Sequence, residues 1–237
     1  MIHKGIKPDA VTYSSLIVTL GKEGMLTEAR YVFDAMIQRG IEPNAVTYNS
    51  LIDGYCLQNK MDEAVKVFNM MLERGCLPFV FSYNILINGY CRIKKINEAT
   101  SLYQEMSKNR IIPDVVTHTS LMGGLCRVGR PQAVLELLHK MLEFGQHPDL
   151  QTCAVLLDGL CKNQLLIQAM TLFQQMEEKR LDHDIVVLNI LIGAMCNAVK
   201  LLIARELFCS LPTKGLQPDV STYITMVKGL CNEGLIN

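Results

Sequence analysis

The sequence predicts an all-α fold, an α-solenoid superhelix of 35-residue helix-turn-helix repeats, and three observations carry that expectation. Thr12, Thr47, Ser82, Thr117, Thr152, Val187 and Thr222 stand 35 residues apart, in windows that agree with one another: VTYSSLI, VTYNSLI, FSYNILI, VTHTSLM, QTCAVLL, VVLNILI and STYITMV. Self-similarity at such a period marks a solenoid, because a unit of this size cannot bury its apolar face alone and stacks on its neighbours. Inside the period run two apolar stripes at helical spacing, and glycine and proline close it.

The second unit displays each element in turn. Tyr48, Leu51, Ile52, Tyr55 and Cys56 recur at i, i+3, i+4, i+7 and i+8, the stripe of an amphipathic helix A, and Ala64, Val67, Phe68, Met71 and Leu72 repeat the pattern for a helix B. Between the stripes, Asn59 or Asp62 is suited to cap helix B, and Glu63 in its first turn complements the helix dipole. Gly75 suits a left-handed C-terminal cap, and Pro78 forbids continuation. Gly40, Gly145 and Gly215 are equivalent glycines, and Pro43, Pro113, Pro148 and Pro218 equivalent prolines.

This phasing gives complete units at 10–44, 45–79, 80–114, 115–149, 150–184 and 185–219, with partial units at 1–9 and 220–237. Solenoids finish in capping units with a polar outer face, and none is visible, so residues 1–237 are expected to form a single array cut from a longer one. Residues 220–237 supply a helix A without its helix B, which is expected to leave Met226, Val227 and Leu230 uncovered and to favour fraying or end-to-end self-association.

Composition narrows the function classes. No run of about 18 apolar residues exists that could span a bilayer, so no membrane partner is expected. Lys plus Arg (23) balances Asp plus Glu (23), so no global field attracts polyanions, and nucleic-acid binding would rest on local placement of charge. The opening MIHKGIKPD has neither the apolar core of a signal peptide nor the Arg- and Ser-rich character of a transit peptide. The chain is therefore either cytosolic or without its targeting segment.

Six of the nine cysteines, Cys56, Cys91, Cys126, Cys161, Cys196 and Cys231, occupy one place late on helix A, where cysteine acts as a small buried hydrophobe. Equivalent places on stacked helices lie roughly 8–10 Å apart, too far for a disulfide, which needs Cα atoms within about 7 Å. No CxxC and no zinc spacing is present. Met36, Met71, Met106, Met141 and Met176 share one place on helix B and read as a core stripe. His3, His118, His139, His147 and His183 fall at different places, and no HExxH, GxSxG or phosphate-cradling glycine loop occurs. His118 stands where equivalent units carry tyrosine and is expected to be a packed ring. Neither catalysis nor a metal or other cofactor is expected.

Units such as AVTYNSLIDGYCLQNKMDEAVKVFNMMLERGCLPF and VVTHTSLMGGLCRVGRPQAVLELLHKMLEFGQHPD resemble pentatricopeptide (PPR) repeats of the P class. The resemblance covers the whole chain: the 35-residue period, the VTYN opening, the G-x-C ending of helix A, the Ala and Phe of helix B and the closing PD all coincide. The GYC and GLC endings, Gly54-Tyr55-Cys56 and Gly124-Leu125-Cys126, further resemble plant restorer-of-fertility-like members.

The resemblance implies binding of single-stranded RNA, one nucleotide per repeat, in organellar RNA processing, stabilisation or translation control. It also implies a mitochondrial location, with the chloroplast as alternative, and other RNA-processing proteins as partners. The family's base-reading residues occupy the fifth and last places of each unit, here Ser14/Asn44, Asn49/Phe79, Asn84/Asp114, Thr119/Asp149, Ala154/Asp184 and Asn189/Asp219. The second places, which sandwich the base, are Val11, Val46, Phe81, Val116, Gln151 and Val186. The thirteenth place holds Lys22, Arg92, Arg127 and Lys162, matching a phosphate-contacting position, and Leu57, Asn197 and Asn232 interrupt the row.

An ionised Asp only accepts hydrogen bonds and so selects guanine or uracil, whose ring nitrogen donates, whereas Asn also donates and suits adenine or cytosine. With the family's rule that a short hydroxyl in the fifth place leaves room for a purine and Asn suits a pyrimidine, the units read A, a pyrimidine, U, G, G and U in order. The alternative function is a protein-binding helical scaffold that uses its concave face. Polar fifth and last places favour RNA; apolar or randomly charged ones would favour protein. The same polar residues also suit helix starts and turns for their capping value alone.

Overall fold

The computed structural model describes residues 8–178, 184–198, 200–232 and 234. His3, His183 and residues 1–7 of the first partial unit lie outside them. The described residues form α1 (Ala10–Lys22), α2 (Leu26–Gln38), α3 (Ala45–Leu57), α4 (Met61–Glu73), α5 (Val80–Arg92), α6 (Ile96–Lys108), α7 (Val115–Arg127), α8 (Pro131–Glu143), α9 (Leu150–Lys162), α10 (Leu166–Glu178), α11 (Ile185–Asn197), α12 (Leu201–Ser210) and α13 (Val220–Asn232), with a 3-10 turn at Pro212–Lys214. Odd-numbered helices are the A helices of the repeat and even-numbered ones the B helices. None is long and apolar enough to cross a membrane.

The chain divides into two compact units, residues 1–124 and 125–237, with the boundary inside α7. In the first, α1 packs on α2, α3 on α4 and α5 on α6, while the A helices stack α1 on α3 and α3 on α5. In the second, α9 pairs with α10 and α11 with α12, and α9, α11 and α13 stack in sequence.

Among the described residues, left-handed residues make the turns, two in each of the four units from 10 to 149. Gly40, Gly75, Gly145 and Gly215 end B helices at φ between 69° and 73°, as the glycine pattern predicts, but Arg110 takes the same conformation at 58°. A second such residue ends helix A: Gly24, Asn59, Lys94, Gly129 or Gln164, at φ from 59° to 75°. This corrects the expected cap of helix B. The Asn59 N–H donates to Cys56 O at 3.0 Å and the Lys60 N–H to Tyr55 O at 2.9 Å, closing α3 with paired bonds, so Asn59 serves the preceding helix. Lys60 is then the N-cap of α4 with no side-chain cap bond, and Asp62 joins Glu63 in the first turn.

Repeats lock together through two recurring contacts. The aromatic ring at the fourth place of helix A meets, edge to face, the ring on the preceding helix B: Tyr48 on Phe33 at 5.4 Å and Tyr83 on Phe68 at 5.3 Å in the first unit, and Tyr223 on Phe208 at 5.7 Å in the second. Each step adds about 0.5–1.5 kcal/mol beyond the area it buries. His118 fills the tyrosine place, fully buried and 5.6 Å from Tyr103, with Nε2 3.2 Å from the Tyr103 hydroxyl and Nδ1 2.9 Å from Asp114 O. It is a packed ring, as expected.

The second contact sets the cysteine column against glycine. A Cβ built on Gly124 would lie 2.5 Å from Cys91 Sγ, and one on Gly229 2.5 Å from Cys196 Sγ; Gly89 and Gly159 meet Cys56 and Cys126 in the same way. Cys56, Cys91 and Cys196 are buried, Cys126 and Cys161 half-buried, and all are free thiols; Cys231, at the end of α13, is exposed. Burial pushes the Cys56 thiol up to about 12 and those of Cys126 and Cys161 to about 11, which keeps them protonated and inert. The five column methionines are buried. Leu72 departs from its stripe, at 41% exposed, while Ala64, Val67, Phe68 and Met71 are buried. On α13, Val227 is exposed beside Tyr223 and Ile224, whereas Met226 packs against the core of Leu188, Leu191, Ile192 and Met195, and Leu230 is half-buried.

Candidate nucleic-acid interface

The last residue of each unit is the N-cap of the next helix A. Asp9, Asn44, Asp114, Asp149 and Asp219 each accept, on Oδ1, the backbone N–H of the residue three places on (Thr12, Thr47, Thr117, Thr152 and Thr222), at 2.7 to 3.0 Å. The threonine hydroxyls donate to the same oxygens. Such caps contribute about 1 kcal/mol each. Asp184 caps by a different bond, from the Val186 N–H at 2.6 Å. Phe79 supplies no side-chain cap to α5.

Burial and hydrogen bonds place the fifth residues against this row. Asn84, buried on α5, donates from Nδ2 to Asp114 Oδ1 at 3.0 Å, and its Oδ1, 2.6 Å from the Thr117 hydroxyl, shares that single proton with Asp114 Oδ1 at 2.9 Å. Asn189 donates to Asp219 Oδ1 at 3.3 Å. Ser14 reaches its partner through an intermediary: its hydroxyl lies 2.7 Å from that of Thr47, which donates to Asn44 Oδ1 at 3.0 Å. Thr119 is half-buried on α7 and Asp149 exposed before α9; Ala154 presents only a methyl. Every hydrogen bond to the Asp114 carboxylate ends on Oδ1, which leaves Oδ2 to accept from elsewhere. Burial opposes ionisation of Asp114, but the Thr117 N–H, the Asn84 amide and the Thr117 hydroxyl outweigh it and hold the carboxyl below its ordinary value. The Thr222 N–H and hydroxyl, with the Asn189 amide, do the same for Asp219.

The second-place residues stand out to solvent despite being apolar: Val11, Val46, Phe81, Val116 and Val186 are between 55% and 70% exposed, and Gln151 is exposed as well. An apolar side chain repeated every 35 residues on an exposed helical edge is not core material. At the thirteenth place Lys22, Arg92, Arg127 and Lys162 are all exposed. Lys162 Nζ is held 2.7 Å from Asp158 Oδ2, and desolvation raises the Asp53 carboxyl above its ordinary value, an effect the Arg92 charge only partly offsets.

The PPR repeat family model matches residues 8–57, 43–79, 78–127, 113–162 and 183–232, and the single PPR repeat matches 152–181. The chain belongs to the pentatricopeptide repeat family. Among solved structures, the pentatricopeptide repeat protein PPR10 from maize is similar over 99% of this chain and 38% of its own, at 23% identity and a TM-score of 0.62. PPR10 in complex with an 18-nt psaJ RNA element is similar over 98% of this chain and 44% of its own, at 19% identity and a TM-score of 0.53. The PPR domain of Arabidopsis thaliana protein-only RNase P 1, in complex with tRNA, covers 69% of this chain and 86% of its own, at 17% identity and a TM-score of 0.58. At these identities the likeness is one of fold, and the chain spans less than half the length of either PPR10 chain. No curated protein matches it.

The PPR phasing brings Asn84 to Asp114 and Asn189 to Asp219 directly. One feature of the PPR face was not anticipated from sequence. The third-place threonine bonds the last-place carboxylate and, at Thr117, the fifth-place amide as well, making a three-residue network. The recurrence of Thr at that place was visible, but nothing in its spacing distinguishes a capping hydroxyl from one that orients a neighbouring amide.

Proposed function

We propose that this PPR array binds single-stranded RNA in a sequence-selective manner, one nucleotide per repeat, with fifth- and last-place residues facing the base edge and second-place residues its faces. The observation that carries this reading is the Asn84–Asp114 pair: a fixed amide and a carboxylate with Oδ2 uncommitted, on helices that expose Phe81 and Val116. A carboxylate held ionised in this way accepts from the ring N–H of uracil or guanine and repels a ring nitrogen that only accepts. Lys22, Arg92, Arg127 and Lys162 supply the backbone contacts, and their small number in a net-neutral chain makes base contacts the main source of selectivity. The likeness in fold to RNA-bound PPR10 and to the tRNA-bound PPR domain supports the same class of ligand.

The role proposed from family membership is organellar, in mitochondria or alternatively chloroplasts, in RNA processing, stabilisation or translation control; P-class and restorer-of-fertility-like membership belong to the same proposal. The array acts by occupancy, without chemistry of its own. Exposed Tyr223, Ile224 and Val227 on α13 support end-to-end association of this chain, which light scattering across a concentration series would reveal and a strict monomer would refute.

The test of function is an electrophoretic shift with RNA containing 5′-A-Y-U-G-G-U-3′, Y being a pyrimidine, against its reversal and a scrambled sequence. The N-terminal unit faces the 5′ base, so the forward sequence binds tightest. Equal binding of the reversed strand would overturn the reading.

A further inference from the structure

One seam between repeats lacks the side chains that fill its counterparts. In the first compact unit, the fourth-place ring of each later helix A fits against the ring at the twenty-fourth place of the preceding repeat: Tyr48 on Phe33, Tyr83 on Phe68 and His118 on Tyr103, at centroid distances of 5.3 to 5.6 Å. Between α8 and α9 both rings are gone, because Leu138 holds the twenty-fourth place and Cys153 the fourth. No other seam of the sequence has lost both. The α10–α11 seam also lacks the tyrosine, but Leu188 is fully buried there and Lys214 lies over the remaining Phe173 ring at 5.8 Å.

The missing rings leave a cleft of about 410 Å³ at the Leu138–Cys153 seam. Leu138, Leu156, Leu172 and Met176 make its apolar walls, the buried Cys153 stands where the tyrosine ring would start, and Gln175 is exposed at the rim. An engineered apolar cavity of about 150 Å³ holds benzene, so this one has room for a ring that carries substituents. The Met176 thioether favours an aromatic occupant, because sulfur makes a contact with a ring edge that it does not make with an aliphatic group.

The polar end of the cleft matches as well. In the intact Phe68–Tyr83 seam, the Tyr83 hydroxyl donates to Glu105 Oε1 at 2.8 Å, on helix B of its own repeat. Gln175 occupies the place of Glu105 two repeats further on, and its side-chain oxygen can accept in the same way. The cleft is therefore the mould of a tyrosine side chain, with an acceptor for the hydroxyl still in position.

We propose that the Leu138–Cys153 seam is a binding site for a small free phenol, whose ring occupies the space of the absent tyrosine and whose hydroxyl donates to Gln175. Room beyond a single ring favours a substituted small molecule over one side chain of a partner protein. The described lining includes none of the second, fifth or last places of the repeat, so the site is separate from the RNA face and its occupation needs no RNA.

Isothermal titration of the full chain with 4-methylphenol, toluene and 4-methylcyclohexanol separates the ring from the hydroxyl. One molecule of 4-methylphenol binds per chain, about fivefold more tightly than toluene, which lacks the hydrogen bond, and more tightly than 4-methylcyclohexanol, which lacks the flat ring. Gln175→Leu, at an exposed position that leaves the fold alone, brings 4-methylphenol down to the level of toluene. Cys153→Tyr supplies the missing side chain, abolishes binding of all three and raises the melting temperature by about 2–4 °C. Absence of binding at millimolar 4-methylphenol, or a preference over toluene that survives Gln175→Leu, overturns the proposal even if Cys153→Tyr does not fold. Undiminished binding to a folded Cys153→Tyr chain overturns it too. Tighter binding of N-acetyltyrosinamide than of 4-methylphenol would assign the cleft to a side chain of a partner protein and overturn the free-ligand reading.

Discussion

Asn84 and Asp114, 30 residues apart in the chain, share a 3.0 Å hydrogen bond between the fifth place of one repeat and its last. The carboxylate also caps α7 through the Thr117 N–H at 2.8 Å, so one residue serves both stability and recognition. Asp114→Asn separates the two roles. Asn is about as good an N-cap as Asp, so the melting temperature should change little. The acceptor-only carboxylate, however, becomes an amide that can donate to the ring nitrogen of cytosine. Competition binding should show the preference of this repeat moving from U toward C by roughly 1–2 kcal/mol, about tenfold. Equal weakening for all RNAs would make residue 114 a cap and nothing more.

The same carboxylates predict an acid-sensitive fold. Asp9, Asp114 and Asp219 have folded-state values held below the ordinary 3.8 by the N–H groups and hydroxyls they accept. A depressed folded value stabilises the native state fully above the unfolded value, and that stabilisation is lost as pH falls through the folded one. Melting temperature should therefore be flat near neutrality and fall below about pH 4. The fall should be shallower in Asp114→Asn and shallower again when Asp219→Asn is added. Parallel curves for wild type and the double variant would show that these caps do not set the acid limit.

Much of the fold was legible because a repeat averages its own noise. A Gly, Pro, Met or Cys that recurs at one place across several units declares a backbone or core requirement that one copy could not. The glycine closure of helix B, the methionine stripe and the His118 ring were read in this way. What recurs as a conformation without recurring as a residue type was not legible: Gly24, Asn59, Lys94, Gly129 and Gln164 share one place and all take positive φ, where no single residue name gives the position away. At the candidate site, the pairing of Asn84 with Asp114 followed from the fifth and last places that the family resemblance implied, and the hydrogen bond joins them. The unpaired state of the Asn49 amide did not, since a hydroxyl in the third-place column does not say whether an amide oxygen lies within its reach.

The cysteine–glycine contact between repeats accounts for the G-x-C ending and can be tested by crowding it. Gly124→Ala puts a methyl 2.5 Å from Cys91 Sγ and 2.9 Å from Ile96 Cδ1, in a buried seam. Overpacking of this kind costs about 1–3 kcal/mol, against a gain of about 1 kcal/mol in helix propensity from replacing glycine. A net loss of stability of roughly 1 kcal/mol is expected. Cys91→Ala in the same chain should recover most of it, because the clashing sulfur is gone. A double-mutant cycle measures the coupling directly, and strictly additive effects would mean that the seam relaxes in some other way.

Phosphate contacts leave a different signature from base contacts, and Lys162 allows the two to be separated. Its ammonium is engaged by Asp158 at 2.7 Å across one helical turn, in an exposed pair worth about 0.3–0.5 kcal/mol. Lys22→Ala and Arg92→Ala should each lower affinity for all sequences alike and flatten the dependence of log K on log salt by about 0.7, the change expected for one phosphate of a single strand. Asp158→Asn should act in the opposite sense. It frees Lys162 for the backbone, strengthens binding of matched and mismatched RNA equally, and steepens the salt slope by up to about 0.7, with little change in melting temperature. The measurement is a salt titration of binding to a matched and a scrambled strand. If Asp158→Asn altered the ratio between the two strands while leaving the slope untouched, Lys162 would be contacting a base and its place in the phosphate row would be wrong.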